Sequence, residues 1–454
     1  MNAYKCPVLL GKIHCDNGRT FLRNNFDEIV HVEKDDAIVL KEMNGYLSFE
    51  EIAQKCGYDK DIVENVFDKY KGKRSLVSLY EWNSLHWCSN CHTYVTDVKC
   101  GICKKKTQKL IFSPPCDPSL CSPAERALIN EKANECGLQM PDDAFYIVNT
   151  GVYNGEFFWE VAYSGKVIFR LDFSNEEPSS WSINLLVEKS EILQLPLSCD
   201  SQEQMQRVFL ANALKQEFLI SNAMDFIEYA YGIFNSKPLL YFSAGKESMV
   251  IYSLLKHMKK NANVLTVTTG VDFPEDYQFM RQMQKVLSQD EQFTNYFFES
   301  DGNEAIEYLN SVGKLSISDP WCRLLIKKKQ KNLGTKHIYH GENFVAFEGT
   351  RWYETNFRRS NPMVNILQEY PNQVWVSPII GGTSFDVWVY LLSKQELVNP
   401  VYSLGFQRTT CWLCPAVNPY AIYLSKKYYP DLWDKIKDCK LDAFAGKDDR
   451  EVIY

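Results

Sequence analysis

In the second half of the chain, short apolar runs alternate with longer stretches whose apolar residues recur at helical spacing. PLLYF (238–242) precedes a helical pattern over Ser248–Lys259, and ANVLTVTT (262–269) precedes one over Glu275–Leu287. FTNYFFE (293–299) precedes one over Asn303–Val312, and NFVAFEG (343–349) stands further on. A long helix from about Gln202 to Phe234 leads into this series. Strands alternating with helices predict an α/β domain built on a parallel sheet covered on both faces. Ligands of such sheets lie at the carboxyl ends of the strands.

The first half has a different texture. AFYIVNT, EFFWEVAY, GKVIFRLDF and SWSINLLVE, between residues 140 and 200, read as strands separated by Gly151, Asn154, Gly155, Ser164 and Gly165. This predicts a small β-rich module, a spacer with nothing visibly catalytic. FSPPCDPSLCSPAE (112–125) ahead of it reads as a proline-rich linker. In residues 1–85, LSFEEIAQKCGYDKDIVENVFDKYKGK reads as a helical stretch burying Ile52, Val63 and Val66, with Ser48 and Glu51 at capping-box spacing. The expected organisation is a small helical or winged-helix-like module at 1–85, a metal ribbon at 86–110, a β-rich domain at 111–200 and the α/β domain at 201–454.

Composition is that of a globular protein: 454 residues, 45% hydrophobic and 24% charged. A net charge of −7 gives no general attraction to nucleic acid, so any such contact needs a local patch. Lys104–Lys106 and Lys327–Lys331 are two basic runs, and a solvated face is the simpler reading of each. No run of 18 apolar residues occurs, and the first residues lack the apolar core of a signal peptide, so the expectation is a cytoplasmic protein with no membrane contact.

Fifteen cysteines in a reducing compartment point to metal rather than disulfides. Cys88 and Cys91, then Cys100 and Cys103, form two Cys-x2-Cys knuckles. Each knuckle offers two sulfurs from one tight turn, and a short hairpin joins the pairs, as tetrahedral Zn²⁺ requires. His86 and His92 are bystanders, because four thiolates complete the shell.

The stretch YFSAGKES (241–248) carries the next signal. A Walker A loop needs a glycine five residues before Gly245, where Leu240 stands, and Ser or Thr after Lys246, where Glu247 stands. A PP-loop, Ser-x-Gly-x-Asp-Ser after the first strand, fits Ser243, Gly245 and Ser248 in register. Glycine lets backbone amides approach pyrophosphate, hydroxyls donate to it, and the helix N-terminus favours negative charge.

With TTGVDFPEDYQFM, FEGTRWYETNFRR and NPVYSLGFQRTTCWLCP downstream, the chain resembles the phosphoadenosine-phosphosulfate (PAPS) reductase family of PP-loop ATP pyrophosphatases, in its zinc-ribbon variety. The resemblance implies an adenine nucleotide alpha hydrolase-like fold. It implies nucleotide contacts from Ser243, Ala244, Gly245, Lys246, Glu247 and Ser248, with Glu247 in place of the family's Asp. Thr269 and Gly270 match the Thr-Gly-x-x-Phe-Pro-Glu segment. Gly349, Arg351, Glu354 and Arg358 match a Gly-x-Arg-x-x-Glu-Ser-x-x-Arg segment in which Thr355 replaces Ser.

Adenylylsulfate reductases of the family hold a [4Fe-4S] cluster on a Cys-Cys pair and a later Cys-x2-Cys. Here Cys322, Cys411 and Cys414 match, with Cys439 as a candidate fourth ligand. The family's C-terminal Glu-Cys-Gly-type segment is not matched, which makes sulfate reduction doubtful.

The preferred expectation is therefore an ATP-dependent, sulfur-transferring enzyme using ATP with Mg²⁺. It would adenylate an acceptor such as tRNA or, as in phosphorothioation, DNA, with a cysteine desulfurase or another sulfur or electron donor as partner. Reduction of an adenylylated small molecule, and a non-catalytic ATP-sensing regulator that binds nucleic acid or protein, are the alternatives. No residue stands out as a general base.

Overall fold

In the computed structural model, residues 5–442 are described except for 10, 17–18, 25–28, 44–47, 71–76, 82–84, 114–115, 154–155, 198–201, 236, 313, 317–328, 355–357, 359–360, 367–371, 410, 415–416 and 437–439. Cys322 and Cys439 fall outside this set, as do Thr355, Lys327 and Lys328.

The C-terminal domain begins with α1 (Gln202–Tyr231) and then alternates strand and helix as the apolar pattern predicts. β1 (Leu239–Tyr241), α2 (Lys246–His257), β2 (Ala262–Val267), α3 (Pro274–Ser288), β3 (Phe293–Phe298) and α4 (Asn303–Val312) follow in order. The domain continues with α5 (Lys329–Tyr339), β4 (Phe344–Phe347), β5 (Val364–Ile366), β6 (Gln373–Val376), α6 (Ser384–Ser393) and α7 (Pro419–Tyr428). The six strands lie in the order β3-β2-β1-β4-β6-β5, all neighbours parallel except the antiparallel β5–β6 pair at one edge.

Alternation along the strands separates two apolar layers. Leu240, Val264, Val345 and Val376 pack with α2, α3 and α6 on one face, while Leu239, Leu265, Ala346 and Trp375 pack with Tyr339 of α5 on the other. The strand order reverses direction about β1, so the turn leaving β1 sits at the topological switch point.

Residues 146–185 form the expected strands in an antiparallel sheet, Ser182–Leu185, Lys166–Phe173, Glu156–Tyr163, Tyr146–Tyr153 and Ser119–Leu120. The fifth strand corrects the expectation of a plain linker at 112–125. Its prolines flank an edge strand, and Pro123 occupies the first turn of a helix, Pro123–Glu135, capped reciprocally by Ser122 and Glu125. This sheet does not bury its inner face alone. Trp159, Phe173 and Trp181 share one core with Phe273, Phe406, Trp412 and Tyr420, and the Trp159 and Tyr420 rings meet edge to face at 4.5 Å.

The ribbon residues form a three-stranded sheet, Thr93–Val95, His86–Cys88 and Gln108–Lys109, that docks on α1. Gly101 N–H donates to Ala211 O at 3.0 Å, where a Cβ on Gly101 would lie 2.4 Å from that oxygen. Asn212 accepts from Thr96 N–H at 2.8 Å and donates to Tyr94 O at 2.9 Å.

In the N-terminal module, the stretch read as one helical segment is two helices, Phe49–Cys56 and Lys60–Tyr70, because Gly57 takes a left-handed φ of 71° and ends the first. The Ser48–Glu51 capping box forms, and Ile52 and Val63 are fully buried. Strands Gly11–Asp16, Arg19–Asn24 and Ile29–His31 form a meander beside them. Among the described residues, no helix is long and apolar enough to cross a membrane.

Candidate functional site

The loop from Phe242 to Gly245 leaves β1 at the switch point, and Gly245 caps α2. Ala244 is fully buried with φ of 56°, a left-handed conformation uncommon for a residue with a Cβ. A Cβ on Gly245 would meet Thr409 Oγ1 at 2.7 Å, so glycine is required by close approach rather than by its φ. Ser243 and Ser248 bring their hydroxyls to 3.4 Å of each other, Ser248 Oγ donates to Gly245 O at 2.9 Å, and Lys246 N–H donates to Tyr402 Oη at 2.8 Å. Lys246 Nζ lies 3.1 Å from Gln407 O and 3.1 Å from Glu247 Oε1. The loop thus gathers serine hydroxyls, a lysine and a helix N-terminus, which suits an oligophosphate.

Gly349 lets β4's exit loop press on this helix start, since a Cβ there would fall 2.5 Å from Glu247 Cβ. That contact brings Arg351 against Glu247. Arg351 is only 2% exposed, and its Nε and Nη2 donate to Glu247 Oε1 at 3.2 and 3.0 Å. Nη1 reaches Asp117 Oδ1 at 2.9 Å and Gly382 O at 3.3 Å, and Nη2 reaches Asp117 Oδ2 at 3.1 Å. A guanidinium has five N–H donors, and these contacts occupy them. In this geometry Arg351 grips protein carboxylates and has no donor left for a phosphate oxygen.

Burial alone would push the Glu247 carboxyl up, but Lys246 and Arg351 outweigh it and hold the group down at about 2. Glu247 Oε1 meets both cations, Lys246 Nζ at 3.1 Å and Arg351 Nη2 at 3.0 Å. Glu354 is likewise buried, which raises its carboxyl, yet Arg358 and Arg351 keep it below the usual range. Its Oε2 accepts from Arg351 N–H at 3.1 Å and from Arg358 Nη1. Burial and the neighbouring Arg358 charge lower Arg408, against the opposing effect of Glu354. The site therefore holds two close arginines, Arg358 and Arg408, around one carboxylate.

Sequence reasoning missed Arg408, Gln407 and Tyr402 although the stretch containing them was conspicuous, and it missed Asp117 and Glu125 altogether. Gln407 is a hub. Its carbonyl receives Lys246, its Nε2 donates to Glu125 Oε1 at 2.8 Å, and its Oε1 accepts from Thr150 Oγ1 at 3.2 Å. Burial raises the Glu125 carboxyl. The β-rich domain thus reaches the switch-point loop indirectly, Asp117 through Arg351, and Glu125 and Thr150 through Gln407.

On the other side of the loop, Thr269 N–H and Oγ1 bind Asp272 at 2.7 Å each, and Thr269 Oγ1 lies 3.2 Å from Cys411 Sγ. Gly270 (φ 70°) and Gly302 (φ 75°) abut so closely that a Cβ on Gly270 would sit 2.1 Å from Gly302 N. Cys411 is buried and Cys414 partly so, and Cys414 N–H closes a turn on Cys411 O at 3.1 Å. Two thiols on one turn beside Thr269 fit two corners of a cysteine-held metal centre. The other two candidate ligands, Cys322 and Cys439, lie outside the described residues.

Cys88, Cys91, Cys100 and Cys103 bring their sulfurs within 4.8 Å of one another, and among the described residues this is the group of metal-ligand type. The donor set and its closure fit a tetrahedral metal ion. His86 is outside it: its Nδ1 lies 3.0 Å from Thr107 Oγ1, and burial lowers it to about 4. Of the basic runs, Lys331 lies over the Tyr241 ring at 4.3 Å, and Lys104 Nζ and Lys105 Nζ bind Gly101 O and Asn90 Oδ1.

Residues 237–417 match the phosphoadenosine phosphosulfate reductase domain family. An uncharacterized protein of Methanocaldococcus jannaschii is 21% identical over 77% of this chain and 90% of its own length. Proteins named adenosine 5'-phosphosulfate reductase are similar over less than half of this chain. That of Anoxybacillus flavithermus is 22% identical over 44% of this chain and 84% of its own length. The second such enzyme of Bacillus subtilis is 23% identical over 43% and 80%. Among solved structures, the Candida auris PAPS reductase overlaps 47% of this chain and 96% of its own at 17% identity with a TM-score of 0.33, too slight to carry an argument. The matched segment spans the switch-point loop, the stretch from Gly349 to Arg358 and the Cys411–Cys414 turn, so the C-terminal part of this chain is PAPS reductase-like and of the PP-loop kind, as an enzyme of that type would carry.

Proposed function

We propose that the protein is an ATP-dependent sulfur-transfer enzyme that activates an oxygen of its acceptor as an adenylate. The observation that carries this reading is the loop itself, in which Ser243, Lys246 and Ser248 gather at the start of α2 with Gly245 at close quarters. Such a cradle suits the β- and γ-phosphates as a leaving group, with the acceptor oxygen attacking the α-phosphorus and pyrophosphate departing. Mg²⁺ bound to the triphosphate would offset its charge. Lys246 and the α2 N-terminus would stabilise the charge that develops on pyrophosphate.

Cys322, Cys411 and Cys414 are the residues that would hold a [4Fe-4S] cluster, with Cys439 as the candidate fourth ligand. A cluster held by three cysteines would supply an iron open to sulfur or a path for electrons. Thr269 would fix the Cys411 thiol beside the nucleotide. The four ribbon cysteines would hold Zn²⁺. The acceptor proposed is tRNA or DNA, with a cysteine desulfurase as sulfur source.

The test is pyrophosphate and AMP release from ATP by the anaerobically reconstituted full chain supplied with sulfide as sulfur source and dithionite as reductant, with and without tRNA or DNA. The expected result is release of both in equal amount, dependent on one of these polymers. No release with any nucleic acid, together with sulfite formed from adenylylsulfate, would replace transfer by reduction.

A further inference from the structure

We infer that Asp117, outside the matched reductase domain, is a positioning residue of the nucleotide loop, orienting Arg351 and through it the carboxylate of Glu247. The inference rests on the loop being a nucleotide site.

Asp117 is itself held from both sides. Its N–H donates to Asn149 Oδ1 at 3.0 Å, and Asn149, fully buried on the accessory sheet, donates to Ser113 O at 3.0 Å and Glu160 Oε2 at 3.2 Å. From the other side, Ser384 N–H at the start of α6 donates to Asp117 Oδ1 at 2.6 Å. The carboxylate then receives Nη1 and Nη2 of Arg351 in the forked geometry that fixes a guanidinium plane. With that plane fixed, Nε and Nη2 converge on Glu247 Oε1.

Charges alternate along the row Asp117, Arg351, Glu247, Lys246 and sum to zero. The arrangement answers a problem set by Glu247. A carboxylate in the first turn of α2, beside the proposed phosphate site, would repel the nucleotide unless matched by cations held in place. Removing the Asp117 charge leaves the row with one positive charge in excess and Arg351 without the fork that orients it. Glu247 then loses a fixed partner and Lys246 its fixed neighbour. A residue on the phosphate itself would act on ATP affinity, whereas one that orients the loop acts on the rate.

The test uses Asp117→Asn, Glu247→Gln and the double variant in the full chain. Pyrophosphate release should show kcat of Asp117→Asn reduced roughly 10- to 100-fold with the KM for ATP changed less than about threefold, since loss of alignment penalises the reacting geometry. Adding Asp117→Asn to Glu247→Gln should lower kcat little further, because both act through Arg351. Multiplying rate effects, or a KM rise at unchanged kcat, would overturn the inference.

The second readout needs no nucleotide. Urea midpoints of the three variants should be non-additive, and additive midpoints would also overturn the inference. A wild-type chain that releases no pyrophosphate would sink the functional reading, and the urea cycle would still decide whether Asp117 and Glu247 are linked.

Discussion

Two Cys-x2-Cys turns in this chain invite comparison, because the same four-residue pattern has been put to opposite use. At the ribbon, a second pair of cysteines returns within the same small sheet, and the four sulfurs close on one another. Its neighbours are packing partners: Gly101 rests on Ala211, and Asn212 ties the hairpin to α1. At Cys411–Cys414 the neighbours are polar, Thr269 and Asp272, next to the proposed nucleotide site. A cysteine pair that completes its own shell suits a structural metal, whereas the proposed cluster would draw its remaining ligands from elsewhere in the chain.

The most severe way to break this contrast is Cys88→Ser. Loss of one ribbon thiolate should release the metal and destabilise the protein by several kcal/mol, since structural metal binding is coupled to folding. Zinc content and thermal denaturation check it, and an unchanged melt would erase the distinction.

The next effect concerns the charged row beside the second site. Glu247 is depressed from 4.5 to about 2, so its contribution to stability is complete above about pH 4.5 and is lost as pH falls toward 2. A shift of that size corresponds to on the order of 3 kcal/mol. Glu247→Gln should remove that much at pH 7 and flatten the fall in stability between pH 4.5 and 2, as urea titrations at several pH values would register.

Cys411→Ser should be milder for the fold, about 2 kcal/mol. Iron should be lost while zinc stays, and iron surviving the change would remove Cys411 from the cluster proposal. The smallest effect belongs to Thr269→Val. It deletes a hydroxyl shared between Asp272 and Cys411, costs about 1 kcal/mol, and should alter the visible absorption of bound iron without releasing it. An unaltered spectrum would mean the 3.2 Å contact does not persist with iron bound.

The elements of this fold were legible because their signals are local. Apolar runs at 239–241 and 262–267 and the Ser48–Glu51 pair each declare themselves within a few residues. The ribbon cysteines did so as well. The site was legible only where a motif is contiguous. Asp117 meets Arg351 across 234 residues of sequence, and Gln407 meets Glu125 across 282, distances at which no periodicity or spacing rule operates. The prolines around Asp117 concealed it, since the same residues that mark a loose linker also flank an edge strand. Gly57 was visible too, but a glycine within a helical pattern is often tolerated, and only its left-handed backbone shows that the helix ends there.

The core shared by Trp159 and Tyr420 also bears on how the chain is made. Strands finished by residue 185 find most of their aromatic cover between residues 406 and 429, with Phe273 arriving earlier. At roughly 5–20 residues per second, a ribosome needs on the order of tens of seconds to deliver that cover. During that interval the nascent sheet holds an aromatic face only partly covered, so the order of synthesis leaves apolar surface open until the last quarter of the chain is made.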